Sequence, residues 1–255
     1  MSGRKARQRR RVPTPPPAAA ATPAADRRVL LLAAAIGAVA LVAAAVGLTL
    51  ALGGGKSSPK PAAAGVKLAE TAGVRQLFAG IPQHGLVLGA ADAPVTLVEY
   101  LDLQCPYCGT YARETFPAVV TRFVRPGRVR VELRPLDFVG PDSVRGRNAL
   151  FAAAEQNHAF EFTALLYANQ GQENTGWLSD EMVRAAARSI RGVDAAAVAG
   201  AGTADAVAAR IESQRAAEKV TGVPTFFVKR TGASGAGTEL VNPSASSLEA
   251  ALRAA

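Results

Sequence analysis

A Cys-x-x-Cys pair between a predicted strand and a predicted helix constrains this chain more than any other feature. Residues 95–102 form a nearly continuous run of apolar and β-forming residues, which is typical of a buried central strand. The sequence Cys105-Pro106-Tyr107-Cys108 follows shortly afterwards, and proline favours the first position of a helix. The pattern predicts a helix over residues 107–124 that ends at Pro126-Gly127. The two thiols therefore lie where a helix begins.

This position favours redox chemistry at the cysteines. A free cysteine has a pKa of about 8.5, and unpaired N–H groups at a helix start stabilise its anion. We expect Cys105 to be the ionised thiol and Cys108, about one turn further along the same face, to be the more buried one. A stabilised thiolate makes the disulfide a stronger oxidant. Pro106 and Tyr107 lie between the sulfurs and are expected to tune this strength.

Zinc is the competing interpretation of the two cysteines. The chain has only these two, so they either bridge each other or stay reduced. Two thiolates could supply half of a tetrahedral zinc site, which needs two further ligands. His84 and His158 are the only histidines in the sequence and show no ligand spacing. We therefore expect no metal and no other cofactor.

The rest of the C-terminal region has the pattern of an α/β fold. Residues 128–133 alternate apolar and charged residues and predict a strand. Residues 143–219 are rich in alanine and predict several helical segments. Residues 225–229 predict another strand, which 238–241 could join across a glycine-rich loop, and 246–253 predict a short closing helix. The expected order is strand, helix, strand, helical insertion, strand, strand, helix.

The positive charge of the chain is concentrated at its N-terminus. Residues 1–28 carry eight basic groups against one acid, a net +7 of the total +9. The remainder is nearly neutral, which argues against a domain that binds nucleic acid through a basic face. Several prolines oppose helix formation here, so we expect a disordered cytoplasmic tail. A short arm that binds nucleic acid is the alternative.

An uncharged run at residues 29–52 predicts a transmembrane anchor. Its 24 residues would span roughly 36 Å as a helix, more than the roughly 30 Å of a bilayer core. The basic flank keeps the N-terminus in the cytoplasm, so the domain that follows is expected outside. A cleaved secretory signal is the alternative, although its apolar run is usually about 7–15 residues. Residues 53–65 predict a flexible linker to a domain over residues 66–255.

Several segments together resemble the thioredoxin-like, DsbA-type family of thiol–disulfide oxidoreductases. Residues 85–108, GLVLGAADAPVTLVEYLDLQCPYC, contain the lead into the first strand and the cysteine pair. Asn169-Gln170, Trp177-Leu178 and residues 220–228 match later landmarks of the family. The resemblance covers about residues 72–255. It implies a thioredoxin-like fold with a helical insertion at about residues 142–219.

The resemblance also implies roles for particular residues. Cys105 would be the attacking cysteine and Cys108 the resolving one. Val223 and Pro224 would form a cis-proline loop that binds the substrate backbone beside the cysteines. Glu99 matches a buried acid that could relay protons to Cys108, and an edge-facing or paired glutamate is the alternative. Family members often have histidine at the position of Tyr107, and this departure leaves the oxidising strength open.

The leading functional prediction is an anchored oxidase that introduces disulfides into exported proteins. Its partners would be exported proteins with cysteines and, by family analogy, a quinone-linked membrane enzyme that reoxidises the pair. A reductase or isomerase of the same fold, for example in cytochrome maturation, is one alternative. A thioredoxin-like domain used only for binding is another. We expect no nucleic acid partner and no role for Asp102, which the pattern places at the surface.

Overall fold

A six-stranded mixed sheet forms the centre of the C-terminal region. The structure is a computed structural model, and it describes residues 66–241 and 243–254. The strand order is β1-β2-β4-β3-β5-β6, with β3 parallel to β4 and every other neighbouring pair antiparallel. The strands are Gln83–His84 (β1), Val87–Leu88 (β2), Val95–Leu101 (β3), Val129–Pro135 (β4), Thr225–Arg230 (β5) and Thr238–Glu239 (β6).

Strand β3 is buried along its full length, as its continuous apolar sequence predicts. Its residues alternate between two apolar clusters, one on each face of the sheet. Leu97 and Leu101 belong to the larger cluster, which also contains both cysteines. Val98 and Tyr100 belong to the smaller cluster on the opposite face. The strand that leads into the turn over residues 102–105, here called the redox turn, is thus held from both sides.

Nine α-helices surround this sheet within the described residues. They are Thr71–Phe78 (α1), Pro106–Glu114 (α2), Phe116–Val119 (α3), Pro141–Glu155 (α4), Ala159–Ala168 (α5), Asp180–Arg188 (α6), Ala195–Ala199 (α7), Asp205–Ala217 (α8) and Ala245–Ala254 (α9). Helices α4 to α8 lie between β4 and β5 in sequence. The predicted order of elements is confirmed, and α1, β1 and β2 are additions that the sequence pattern did not indicate.

The single helix predicted over residues 107–124 is wrong. Helix α2 ends at Glu114, α3 follows from Phe116, and residues Val120–Val124 form a π-helical turn. Pro117 lies in the first turn of α3, where its missing N–H costs no helical hydrogen bond. Proline in the interior of one continuous helix would remove such a bond, so the chain starts a new helix before it.

The predicted tail, anchor and linker, residues 1–65, lie outside the described residues. Within the ranges that are described, none of the helices has the length and apolar character needed to cross a bilayer. The anchor therefore stays a prediction.

Candidate redox site

Cys105 lies at the N-terminus of α2, directly after the turn that follows β3. It is the N-cap residue of the helix, and Pro106 occupies the first helical position. The backbone N–H of Cys105 donates to the carbonyl of Asp102 at 2.9 Å, which closes the turn. The backbone N–H of Cys108 donates to Cys105 Sγ at 3.2 Å. A helix N–H that would otherwise lack a partner thus meets the sulfur, as the sequence predicted.

The two thiols have opposite electrostatic environments. A hydrogen bond from the Cys108 thiol, followed by backbone N–H groups, lowers the pKa of Cys105 against the effect of burial. Burial first, and then the Cys105 sulfur, raises the pKa of Cys108 well above its ordinary value. Cys108 is fully buried and Cys105 is 3% exposed. The pair can therefore hold one anion, and that anion belongs on Cys105.

The segment before β5 brings a second backbone element to Cys105. The Val223–Pro224 peptide bond is cis, as the resemblance implies. The carbonyl oxygen of Val223 lies 3.5 Å from Cys105 Sγ. An open groove of about 560 Å³ begins here, and Tyr107, Pro224 and Val241 are among its lining residues. Tyr107 is 75% exposed, so its ring is the part of the dipeptide that solvent reaches.

Glu99 occupies the middle of β3, on the strand that leads to the cysteines. It pairs in register with Leu133 of β4 and Phe226 of β5 and is 4% exposed. Burial, and then the charge of Cys105, raises the pKa of Glu99 to about 8. The alternative of an edge-facing glutamate is thereby excluded. The side chain is a buried acid that holds its proton near neutral pH, which a proton relay requires.

The expectation that Asp102 is exposed is wrong. The residue is fully buried, and both carboxylate oxygens accept backbone hydrogen bonds. Oδ1 accepts from the N–H of Gln104 and Oδ2 from the N–H of Val139, each at 2.8 Å. The Asp102 carbonyl also accepts the hydroxyl of Tyr167 at 3.0 Å. Asp102 therefore ties the redox turn to the loop after β4 and to α5, and its local sequence gave no sign of these distant partners.

Side-chain amides from the helical insertion also reach this turn, and the sequence did not assign them a role. Gln104 Nε2 donates to Ser143 Oγ at 3.1 Å and to Asn174 Oδ1 at 3.3 Å. In return the backbone N–H of Asn174 donates to Gln104 Oε1 at 2.8 Å. Gln170 Nε2 donates to two carbonyls of the turn, those of Leu103 and Cys105. Gln170 was evident only as a family landmark.

A buried ionic network lies on the opposite face of the sheet. Arg134 of β4 contacts Glu218 at 2.9 Å and Glu132 at 2.9 Å, with its own side chain 2% exposed. The hydroxyl of Tyr100 donates to Glu218 at 2.8 Å and accepts from Arg134 at 2.7 Å. Glu218 directly follows α8, so the network fixes the start of the segment that leads to Val223 and Pro224. Nothing in the sequence pattern had indicated it.

The histidines are not brought to the cysteines by the fold. His84 lies in β1, and His158 lies 3.6 Å from Glu161 at the start of α5. Over the described stretch of chain, no group of three or more histidine, cysteine or acidic side chains is arranged to hold a metal ion.

The chain is similar to known proteins over its C-terminal region. The sequence profile described as thioredoxin matches residues 82–239. The antiporter NhaA 3 of Salinispora tropica is 36% identical over 156 residues, which are 58% of this chain and 22% of that protein. The probable disulfide bond formation protein D of Bacillus cereus is 29% identical over 110 residues, 42% of this chain and 50% of that protein. The matches thus span half or less of these relatives.

A solved structure extends the likeness over the described domain. Oxidised BdbD from Bacillus subtilis matches with a TM-score of 0.59 at 19% identity. The match covers 68% of this chain and 96% of that one. At this identity the likeness concerns the fold, which is thioredoxin-like in both.

Proposed function

The chain belongs to the thioredoxin family and is DsbA-like within it, and on this premise we propose that it is a thiol:disulfide oxidoreductase that introduces disulfides into exported proteins. The observation that carries the proposal is the contrast between the two sulfurs. Cys105 accepts a helix N–H and has a lowered pKa, whereas Cys108 is buried and has a raised pKa. The difference gives the pair one sulfur for exchange with a substrate and one for closing the disulfide.

The proposed reaction transfers two electrons from a substrate dithiol to the Cys105–Cys108 disulfide. A substrate thiolate attacks Cys105 Sγ, the Cys105–Cys108 bond breaks, and Cys108 leaves with the electron pair and gains a proton. A second substrate thiolate then attacks the substrate sulfur of the mixed disulfide. The bond to Cys105 breaks, Cys105 leaves as a thiolate, and the substrate is released as a disulfide. The low pKa of Cys105 favours this last step, because a thiol of lower pKa leaves faster.

Five further residues have supporting roles in this proposal. Glu99, with its pKa raised to about 8, supplies the proton that Cys108 takes up as it leaves. Val223 and Pro224 offer backbone beside Cys105 to an extended substrate, since the Val223 carbonyl is 3.5 Å from the sulfur. Pro106 and Tyr107 tune the potential, and the exposed ring of Tyr107 borders the groove along which the substrate extends.

We further propose that the enzyme works outside the cytoplasm, held to the cell membrane by residues 29–52 with its N-terminus inside. Support comes from the uncharged length of that segment and from the basic residues before it. Disulfides form in oxidising compartments, which agrees with this placement. Each turnover leaves the pair reduced, so a membrane enzyme linked to quinones is the proposed reoxidant.

The Cys108→Ala variant tests the proposal. In this variant the Cys105 thiolate can still attack a disulfide of an exported protein, but no thiol of the enzyme can then displace the partner from Cys105, so mixed disulfides with exported proteins should accumulate. They would be detected as complexes on non-reducing gels that disappear on reduction and would be identified by mass spectrometry. The double variant Cys105→Ala/Cys108→Ala is the matched control. If the single variant gave no more complexes than the double variant, the proposed exchange at Cys105 would be wrong.

A further inference from the structure

The side chain of Gln170 contacts the backbone of the redox turn from outside the sheet. It follows α5, and its amide nitrogen donates to the Leu103 carbonyl at 3.1 Å and to the Cys105 carbonyl at 3.0 Å. A primary amide nitrogen has two protons, and both are used here. The turn that carries the attacking cysteine is thereby bound at two carbonyls by a residue about 65 positions away in sequence.

The orientation of this amide is set by its oxygen. Gln170 Oε1 faces Arg113 Nη1 at 3.4 Å, and the same Nη1 donates to the Tyr167 carbonyl at 2.7 Å. A flipped amide would place its NH₂ group against the guanidinium and its oxygen against the two carbonyls. Both contacts would then be repulsive, so the observed orientation is the stable one.

The Gln170 amide lies against Gly109, the residue that follows Cys108. A Cβ atom at Gly109 would fall well inside the 3.0 Å from Gln170 Oε1 that real contacts keep. A second side-chain amide, that of Asn174, lies against a second glycine, Gly140. A Cβ atom at Gly140 would overlap Asn174 Oδ1, which accepts from Gln104. Two amides of the insertion thus approach the redox turn, each across a residue without a side chain.

We propose that Gln170 is a positioning residue that holds the redox turn so that Cys105 Sγ stays in line with the N–H of Cys108. The inference rests on the proposed function of the cysteine pair. The stabilising hydrogen bond spans 3.2 Å between Cys105 Sγ and the Cys108 nitrogen, and such bonds weaken steeply as distance and angle degrade. Fixing the carbonyl of Cys105 fixes the residue whose side chain accepts that bond. Gln170 itself touches no reacting atom.

The test compares Gln170→Leu with Gln172→Leu. Gln172 is an exposed glutamine two positions further along the same insertion, so it is a matched control. The Cys105 pKa would be measured by ultraviolet absorbance of the thiolate against pH, and the redox equilibrium by exchange with glutathione. We expect Gln170→Leu to raise the Cys105 pKa and to lower the equilibrium constant for oxidation of glutathione about tenfold, or about 30 mV. Gln172→Leu should match the wild type in both.

Two further variants separate positioning from folding. Gln170→Glu keeps the length of the side chain but gives the carbonyls no N–H, so it should shift the pKa in the same direction. Gly109→Ala should do so as well, by displacing the amide, but should add little in a Gln170→Ala background. If a variant fails to fold, the remaining ones still carry the test. Additive effects of Gly109→Ala and Gln170→Ala would mean that the two residues act separately, which contradicts the proposal.

The outcomes distinguish this inference from the proposed function. A lowered Cys105 pKa in the wild type that is unchanged in Gln170→Leu and Gln170→Glu would overturn the role of Gln170 and leave the oxidoreductase intact. An ordinary Cys105 pKa in the wild type would instead overturn the proposed function itself. A loss of stability with no movement of pKa or potential would reduce Gln170 to a structural contact and would also overturn the proposal.

Discussion

Glu99 is a carboxylic acid in a strand whose seven residues are all buried. Burial, with the charge of Cys105 as a second cause, raises its pKa from 4.5 to about 8. In the unfolded chain the group ionises near its ordinary value. Between pH 4.5 and about pH 8 the folded chain therefore keeps a proton on Glu99 that the unfolded chain has released. Rising pH favours unfolding in this range.

We expect Glu99 to make folding stability fall as pH rises from about 4.5 to about 8. Its contribution is complete below this window, is lost at up to about 1.4 kcal/mol per pH unit within it, and is absent above it. Glu99→Gln does not titrate, so it should remove this slope and unfold at higher urea than the wild type at pH near 8. Urea unfolding of the disulfide form measures the share of this effect that is due to burial, since neither cysteine titrates there and the charge of Cys105 is absent, so the window should close below pH 8.

The exposed acid Glu155 supplies the control for that measurement, because Glu155→Gln also removes one carboxylate. Its pH profile should follow that of the wild type. If Glu99→Gln retained the wild-type slope, Glu99 would ionise as freely in the folded chain as in the unfolded one, and its proposed proton transfer would lose its basis.

Local sequence located some of the site residues but not those held by distant partners. Cys105, Cys108 and Glu99 belong to one strand–turn–helix segment, so their spacing determines where they lie. Asp102 belongs to the same segment, yet its burial depends on Val139, 37 positions away. The contact of Gln170 with the Cys105 carbonyl spans 65 positions. Short-range periodicity carries no information about such contacts.

Helix α8 and strand β4 are joined by an ion pair that is largely shielded from water. The pair between Arg134 and Glu218 has side-chain exposures of 2% and 9%, and Tyr100 of β3 bonds to both residues. Removing one member of a buried ion pair leaves an uncompensated charge in the interior. The segment from Glu218 to Pro224 begins at this anchor, so the position of the cis-proline loop depends on it.

Glu218→Ala should lower the free energy of unfolding by about 3 kcal/mol, because Arg134 keeps only Glu132 as an acidic partner. Glu212→Ala is the control, since it removes a pair with Arg215 in which the glutamate is 55% exposed. That change should cost much less, because water screens an exposed pair. Urea unfolding of both variants gives the comparison. Similar small losses in the two variants would show that the buried network contributes little.

The strands and helices were predictable where the sequence pattern was long or sharply punctuated. Strand β3 has a continuous apolar run, and the helices between β4 and β5 have alanine-rich sequences. Strands β1 and β2 have two residues each, which is too short for an alternating pattern to stand out. They exist because β2 pairs with β4, a tertiary contact. Helical periodicity continues across residues 107–124, and only Pro117 indicates the break that separates α2 from α3.

The redox state of the pair should affect the stability of the folded domain as one unit. In the reduced form the fold stabilises the Cys105 thiolate, and the unfolded chain does not. A folded pair that is more oxidising than the unfolded pair must make the reduced domain more stable, by about 1.4 kcal/mol for each 30 mV or so. This relation follows from the closed cycle of folding and oxidation.

We expect the reduced domain to melt at a higher temperature than the oxidised one. Calorimetry of the reduced and oxidised forms measures this difference. The double variant Cys105→Ala/Cys108→Ala, which has neither the dithiol nor the disulfide, gives the stability of the fold alone. A more stable oxidised form would mean that folding favours the disulfide over the dithiol relative to the unfolded chain. That result would contradict a strongly oxidising pair and would favour the reductase alternative.

The small exposure of Cys105, 3%, also bears on when the protein can act. A substrate cysteine fixed in a rigid, convex surface cannot bring its sulfur to Cys105 Sγ, because that atom is buried beside the Val223 carbonyl. A loose chain can, because it can thread a short stretch past the ring of Tyr107. Under the proposed function we therefore expect a substrate to react while it is unfolded, and the same cysteines in a folded protein to react far more slowly.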